Sequence, residues 1–129
     1  MRRLAILSLS ILTLLGCHTT HTPPTPSSAL NHVVLIKLQS TTQTEALLLD
    51  CNRLLPGIKH VDSYWCGKHF DIGRAGVDQD YDIALCVGFQ TQTGYEKYLA
   101  DTAHIELIDQ WKPHFESIRI YDIKDTYQQ

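Results

Sequence analysis

The chain has 129 residues, which is enough for one modest domain. It carries 11 basic and 14 acidic residues, a net charge of -3 with histidine neutral. The basic residues form no run and are not interleaved with aromatic residues, so a nucleic acid is not an expected partner.

Residues 1–16 have the pattern of a secretory signal peptide. The pair Arg2 and Arg3 precedes an apolar stretch over 4–15 that only Ser and Thr interrupt. This stretch is too short for a transmembrane helix. We therefore predict that the chain is exported.

The end of this segment, Leu14-Leu15-Gly16-Cys17, resembles the bacterial lipobox. In a lipobox a signal peptidase cuts before the cysteine, and that cysteine carries lipid. We predict lipidation at Cys17 and an anchor in a membrane of the bacterial cell envelope, in the outer membrane or facing the periplasm. The alternative is a simple signal peptide with an incidental cysteine.

Residues 17–30 predict a disordered tether. They are rich in Thr and Pro, and Pro23, Pro24 and Pro26 prevent a regular helix. His18 and His21 are too weak a set of ligands for a metal site. No metal and no cofactor are therefore predicted.

The first predicted strand, over 31–38, is the centre of the folded domain. It is apolar on both faces, as a strand buried in the middle of a sheet would be. One face carries His32 and then Val34, Ile36 and Leu38. His32 is either a core histidine with a backbone partner or a proton-handling group in a cleft.

The remaining elements follow from periodicity and from turn residues. We predict a helix over 43–55, a strand over 58–68, a polar loop over 69–80, a strand over 81–89, helices over 91–99 and 103–112, a strand over 117–123 and a polar tail over 125–129. Asp101 or Thr102 can cap the second of the paired helices.

The order β-α-β-β-α-β predicts an α+β protein with a ferredoxin-like fold, a four-stranded antiparallel sheet with helices on one face. The domain covers 31–124. The face of the sheet that includes Val33 and Leu35 then lacks a cover. A second copy, packed sheet to sheet in a homodimer, would cover it.

Three cysteines fall within this domain, at positions 51, 66 and 86. An odd number outside the cytoplasm allows at most one internal disulfide. Buried free thiols are the favoured interpretation, and a cross-strand bridge between Cys66 and Cys86 is the alternative.

Five short segments carry a family resemblance. They are Asn-His-Val-Val-Leu-Ile-Lys-Leu from 31, Leu-Leu-Pro-Gly-Ile-Lys from 54, Trp-Cys-Gly-Lys from 65, Tyr-Leu-Ala-Asp-Thr-Ala-His from 98 and Ile-Tyr-Asp from 120. Together they resemble the stress-responsive dimeric A/B barrel (Dabb) family over 31–124. The resemblance implies the ferredoxin-like fold and a dimeric α/β barrel.

The same resemblance supplies candidate catalytic residues. In the plant polyketide cyclase branch of the family, a tyrosine and a histidine at the positions of Tyr98 and His104 form an acid–base pair, and a histidine at the position of His32 lies in the same pocket. A further pocket histidine of that branch corresponds to Ile83. In the sequence no acidic residue shares the faces of His32 or His104. Burial disfavours a charged imidazole, so the pKa of a histidine at either position should fall unless an acid is close.

We therefore predict an envelope-anchored Dabb protein that binds a small apolar ligand or acts in a stress response, with no assigned reaction. The first alternative is a cofactor-independent lyase or cyclase that uses Tyr98 and His104. The second is a cofactor-independent enzyme similar to a monooxygenase.

Overall fold

The folded part of the chain is a four-stranded antiparallel sheet with its helices packed on one face. The computed structural model describes residues 28–126, so the predicted signal peptide, Cys17 and most of the predicted tether lie outside the described residues. The strands are β1 (Leu30–Leu38), β2 (Ser63–Lys68), β3 (Ile83–Phe89) and β4 (Phe115–Lys124), and the helices are α1 (Thr44–Leu54), α2 (Gln92–Leu99) and α3 (Thr102–Trp111). Their spatial order in the sheet is β2-β3-β1-β4, which confirms the predicted ferredoxin-like α+β fold.

β1 lies between β3 and β4 and supplies the centre of the core. His32, Val34, Ile36 and Leu38 are all buried, and the residues between them are half-buried. The alternation arises because neighbouring side chains on a strand point to opposite faces. The predicted row on one face of β1 is therefore confirmed.

Side-chain caps mark where α2 and α3 begin. The Thr91 hydroxyl accepts a hydrogen bond from the Gly94 amide at 3.0 Å, and the Asp101 carboxylate accepts one from the Ala103 amide at 2.9 Å. Each cap satisfies an amide that has no partner inside its own helix. The prediction of a cap at Asp101 is confirmed, and the cap fixes where α3 begins.

β2 begins five residues later than predicted. Two consecutive turns occupy the preceding segment, with amide-to-carbonyl bonds of 3.2 Å from Ile58 to Leu55 and from Val61 to Ile58. His60 has a φ of 77°, which is outside the range of a strand. The turn that Pro56-Gly57 starts is thus repeated once before the chain becomes extended.

The first described residues belong to the fold. β1 begins at Leu30, and the Ser28 hydroxyl lies 2.7 Å from the hydroxyl of Ser63 on β2. A side chain at Gly88 would collide with both hydroxyls. Because Gly88 has no side chain, the side chains of Ser28 and Ser63 can meet beside it. Residues 28–30, predicted as the end of the tether, therefore belong to the domain.

The register of β2 against β3 separates the two cysteines of the sheet. Trp65 pairs with Cys86, and Cys66 pairs with Leu85. Cys66 therefore faces the helices and Cys86 faces the other side of the sheet. The alternative prediction of a Cys66–Cys86 disulfide is wrong, and the three described cysteines are free thiols.

The face of the sheet away from the helices carries a row of side chains across all four strands, which we call the outer row: Trp65, Cys86, Val33 and Tyr121. Trp65 is 54% exposed and Tyr121 is 48% exposed.

Within residues 28–126, no helix is both long and apolar enough to cross a bilayer.

Candidate functional site

A cleft of about 320 Å³ lies between the helices and the β1–β4 half of the sheet. Ile118 and Ile120 on β4 pair with Ile36 and Val34 on β1, so they face the helices. They are nevertheless 42% and 52% exposed, because the helices leave the edge strand uncovered. The apolar side chains that line the cleft are Val34, Ile36, Leu47, Leu55, Leu85, Leu99, Leu107, Ile108, Phe115, Ile118 and Ile120.

All three predicted site residues line this cleft. His32 comes from β1, Tyr98 from the last turn of α2 and His104 from the first turn of α3. The ring centres of Tyr98 and His104 are 4.7 Å apart, and those of His32 and Tyr98 are 6.2 Å apart. The fold thus brings the three together, and their catalytic roles remain predictions.

The hydrogen bond of His104 fixes its tautomer. Its Nδ1 lies 3.1 Å from the carbonyl oxygen of Leu99, which can only accept, so Nδ1 carries the hydrogen. Burial, followed by the nearby imidazole of His32, lowers the pKa of His104 as predicted. The neutral ring therefore has a lone pair on Nε2, which makes it a hydrogen-bond acceptor at neutral pH.

His32 has an acidic partner, contrary to the prediction. Its Nδ1 lies 2.7 Å from Oδ1 of Asp122, which is the residue directly opposite on β4. The Tyr95 hydroxyl donates to the same carboxylate oxygen at 2.9 Å and lies 2.7 Å from Nδ1 of His32. The carboxylate cannot donate, so Nδ1 of His32 carries the hydrogen and donates it. Nε2 is therefore the ring nitrogen of His32 that remains for a contact with a molecule in the cleft.

This contact also affects the carboxylate. Burial alone would raise the pKa of Asp122, but the hydrogen bonds from His32 and Tyr95 outweigh it and lower that pKa. Asp122 therefore remains ionised beside His32 at neutral pH and holds the imidazole in one orientation. Sequence periodicity could not find this pair, because the two residues are 90 positions apart.

An aromatic cluster supports the tyrosine of the site. Phe89 is fully buried, and its ring centre lies 5.0 Å from that of Tyr95 and 5.1 Å from that of Tyr98. Burial raises the pKa of Tyr98, so its side chain stays a neutral phenol. Tyr95 was missed as a site residue, although its position one helical turn before Tyr98 places both on one side of α2.

In the part of the chain that the structure describes, no group of three or more His, Cys, Asp or Glu side chains is arranged to hold a metal ion. The polar side chains that line the cleft are His32, Tyr98, His104 and Lys112. The chemistry that this arrangement supports is hydrogen bonding and proton transfer.

We expect His104 to make the protein less stable in acid. Its folded-state pKa lies below the value of about 6.5 in an unfolded chain. As the pH falls through the window between the two values, the unfolded chain binds the additional proton and the free energy of unfolding decreases. His104→Phe should recover up to about 1 kcal/mol at the acid end of this window, since part of the ring is screened by solvent.

Urea unfolding of both proteins between about pH 5 and pH 8 measures this difference. NMR titration of the imidazole provides an independent check. A His104 that titrates at or above the ordinary value in the folded protein would contradict the prediction.

The fold and the cleft define a class, the ferredoxin-like α+β proteins that have an open cavity between helices and sheet. The family model of the stress responsive A/B barrel domain matches residues 30–125. The chain therefore belongs to this family. Among curated proteins, none matches this chain.

Three solved structures with the same fold illustrate the class. A Dabb family protein from Mesorhizobium loti has 20% identity and a TM-score of 0.63, with 74% of this chain and 95% of that chain covered. A dimeric ferredoxin-like protein of unknown function from Thermobifida fusca has 18% identity and a TM-score of 0.63, with 74% and 90% covered. Hydroxynitrile lyase from Passiflora edulis has 16% identity and a TM-score of 0.64, with 81% and 99% covered. At these identities the likeness is one of fold.

Proposed function

We propose that the protein binds a small, mainly apolar molecule with one hydroxyl group in the cleft. The observation that carries this proposal is the contrast between the aliphatic walls and the few polar groups among them. A volume of about 320 Å³ is at the lower end of the range for ligand sites. Apolar walls favour an apolar body, and a few polar groups fix its orientation.

The polar groups select a hydroxyl. Nε2 of His104 accepts a hydrogen bond, and the phenol of Tyr98, whose ring lies beside it, can donate one. A hydroxyl group is both a donor and an acceptor, so it can satisfy the two together. A carboxylate could only accept and would leave the lone pair of His104 without a partner.

A matched pair of probes tests this proposal. In an NMR titration, p-cresol and toluene should both shift the methyl signals of Ile118 and Ile120. p-Cresol should bind about 2- to 12-fold more tightly, which corresponds to one hydrogen bond of about 0.5–1.5 kcal/mol. His104→Phe should remove that preference and retain toluene binding. If neither probe shifts these signals at millimolar concentration, the proposal is wrong.

Lyase chemistry is a second candidate function, and the same pair of side chains favours it. A cyanohydrin, the substrate class of a hydroxynitrile lyase, has a hydroxyl on the carbon that carries the nitrile. His104 Nε2 would take the hydroxyl proton, the bond to the nitrile carbon would break, and an aldehyde and cyanide would form. Cyanide then takes the proton from His104 and leaves as hydrogen cyanide.

We also propose that the protein is a homodimer through the outer row of the sheet. The half-exposed aromatic side chains there and the absence of a covering helix in residues 28–126 support this, and similar folds are described as dimeric. A closed two-fold dimer would place the outer row of one copy against the outer row of the other.

Tyr121→Lys should weaken this dimer at least about tenfold, because it would bury a charge without a partner. Ile105→Lys is a matched control, since Ile105 is 46% exposed on α3, away from the sheet face. Sedimentation of the chain from residue 28 onward measures both. A wild-type monomer at micromolar concentration would contradict the dimer, and equal effects of the two variants would contradict the interface.

The location of the protein is a separate proposal that rests on the sequence. The lipobox-like segment before Cys17 supports export and lipid attachment in the cell envelope. Mass spectrometry of the mature protein should find acyl chains on Cys17. A processed protein with an unmodified Cys17 would overturn the proposal.

A further inference from the structure

The polar groups that line the cleft lie at its two ends. At one end the ring centre of Tyr98 lies 4.7 Å from that of His104 and 6.2 Å from that of His32. At the other end is Lys112, the residue that directly follows α3. The walls between the two ends are aliphatic, and on α3, β1 and β4 they consist of Leu107, Ile108, Val34, Ile36, Ile118 and Ile120.

A helix and a strand set the direction of the cleft in the same way. His104, in the first turn of α3, and Lys112 are about 12 Å apart along the helix axis, at 1.5 Å per residue. On β1, His32 lies at the Tyr98 end, and Leu38 at the other end pairs with Phe115, which follows Lys112 closely in the chain. The cleft therefore runs from the tyrosine–histidine pair to the lysine.

Lys112 brings a positive charge to the cleft. It is exposed, and within residues 28–126 no ion pair involves it. The stem of a lysine can lie along apolar side chains while its amine stays in contact with water. The amine can therefore bind an anionic group at the end of the cleft without giving up an ion pair within the described part of the chain.

We propose that the ligand of the cleft is a single-chain amphiphile. Its anionic head lies at Lys112, its apolar chain follows the aliphatic walls, and its hydroxyl lies beside Tyr98 and His104. This inference rests on the proposed function and assigns the rest of the molecule that carries the hydroxyl. A volume of about 320 Å³ is at the lower end for ligand sites, so it suits one chain and not the two of a phospholipid. An ω-hydroxy fatty acid has this chemistry.

Three probes of equal chain length separate the two ends of the ligand. ω-Hydroxydecanoate has the carboxylate and the hydroxyl, decanol lacks the carboxylate, and decanoate lacks the hydroxyl. Each is titrated below the concentration at which it forms micelles, and the methyl signals of Ile118 and Ile120 are followed by NMR. The protein is the chain from residue 17 onward with Cys17→Ser, so that neither the apolar stretch over 4–15 nor an acyl chain competes with the probe.

Lys112→Met keeps an apolar stem of similar length and removes the charge. It should weaken the binding of ω-hydroxydecanoate about 2- to 5-fold, the range of an exposed ion pair, and leave decanol binding unchanged. Lys112→Arg should retain the affinity for ω-hydroxydecanoate, because it retains the charge. The matched control is Lys59→Met, which removes the same charge from an exposed residue outside the cleft and should change neither affinity.

His104→Phe tests the opposite end of the same molecule. It should weaken the binding of ω-hydroxydecanoate and leave decanoate binding unchanged, because only the first has the hydroxyl. If decanol shifts neither methyl signal, the proposed function is wrong and this inference fails with it. If decanol shifts them but Lys112→Met does not weaken ω-hydroxydecanoate, or Lys59→Met weakens it equally, the anionic head is wrong and the proposed function stands.

Discussion

Phe89→Ala should lower the free energy of unfolding by about 3–5 kcal/mol, which is a large part of the stability of a small domain. Phe89 has no exposed surface, and its ring centre lies 5.0 Å from that of Tyr95 and 5.1 Å from that of Tyr98. Truncation removes the contacts of a whole aromatic ring and leaves a cavity that a strand in the sheet cannot close. Urea unfolding monitored by circular dichroism measures the change.

The same variant tests the link between the core and the site. Without the Phe89 ring, Tyr98 loses one of the aromatic rings that pack against it, while its contact with His104 remains. Phe70→Ala is the matched control, since Phe70 is 80% exposed in the loop after β2 and should change stability by less than about 0.5 kcal/mol. Similar losses for the two variants would mean that Phe89 is not a core residue.

Tyr98→Phe and His104→Phe should each lower kcat for an aromatic cyanohydrin such as mandelonitrile by about 10²–10⁴, if lyase chemistry takes place in the cleft. Deletion of the Tyr98 hydroxyl removes a donor that a neutral phenol provides. Replacement of His104 removes the imidazole beside that phenol. The hydrogen bond from its Nδ1 to Leu99 leaves the lone pair on Nε2, and the variant loses this acceptor. Release of benzaldehyde, followed by its absorbance, measures the rate.

Tyr81→Phe provides a control for this pair. It deletes the same oxygen atom from a tyrosine whose ring packs against His69, outside the cleft. Its kcat and KM should match those of the parent chain. The second candidate function is wrong for this substrate class if the parent chain releases no benzaldehyde, or if all three variants retain its rate. The binding proposal is tested separately by p-cresol and toluene.

Local rules of sequence were enough for most of the fold. The alternating row of His32 and aliphatic side chains predicts a strand with that face buried. The cap at Asp101 begins the second of the paired helices through contacts within a few residues. The predictions failed where a local signal was overridden. Strand-forming residues over 58–62 form two turns instead, because the turn at Pro56-Gly57 is followed by another with His60 at positive φ.

The sequence by itself determined the order of the elements, the buried row of β1 and the membership of Tyr98, His104 and His32 in one neighbourhood. Each of these depends on residues close together in the chain or on a resemblance that five short segments carry in order. Only the tertiary structure decided what faces these residues. The β1–β4 register places Asp122 opposite His32, and the β2–β3 register turns Cys66 towards the helices and away from Cys86. A shift of either register by one residue would reverse these partners, and the alternation of side chains within a single strand contains no information about its neighbour.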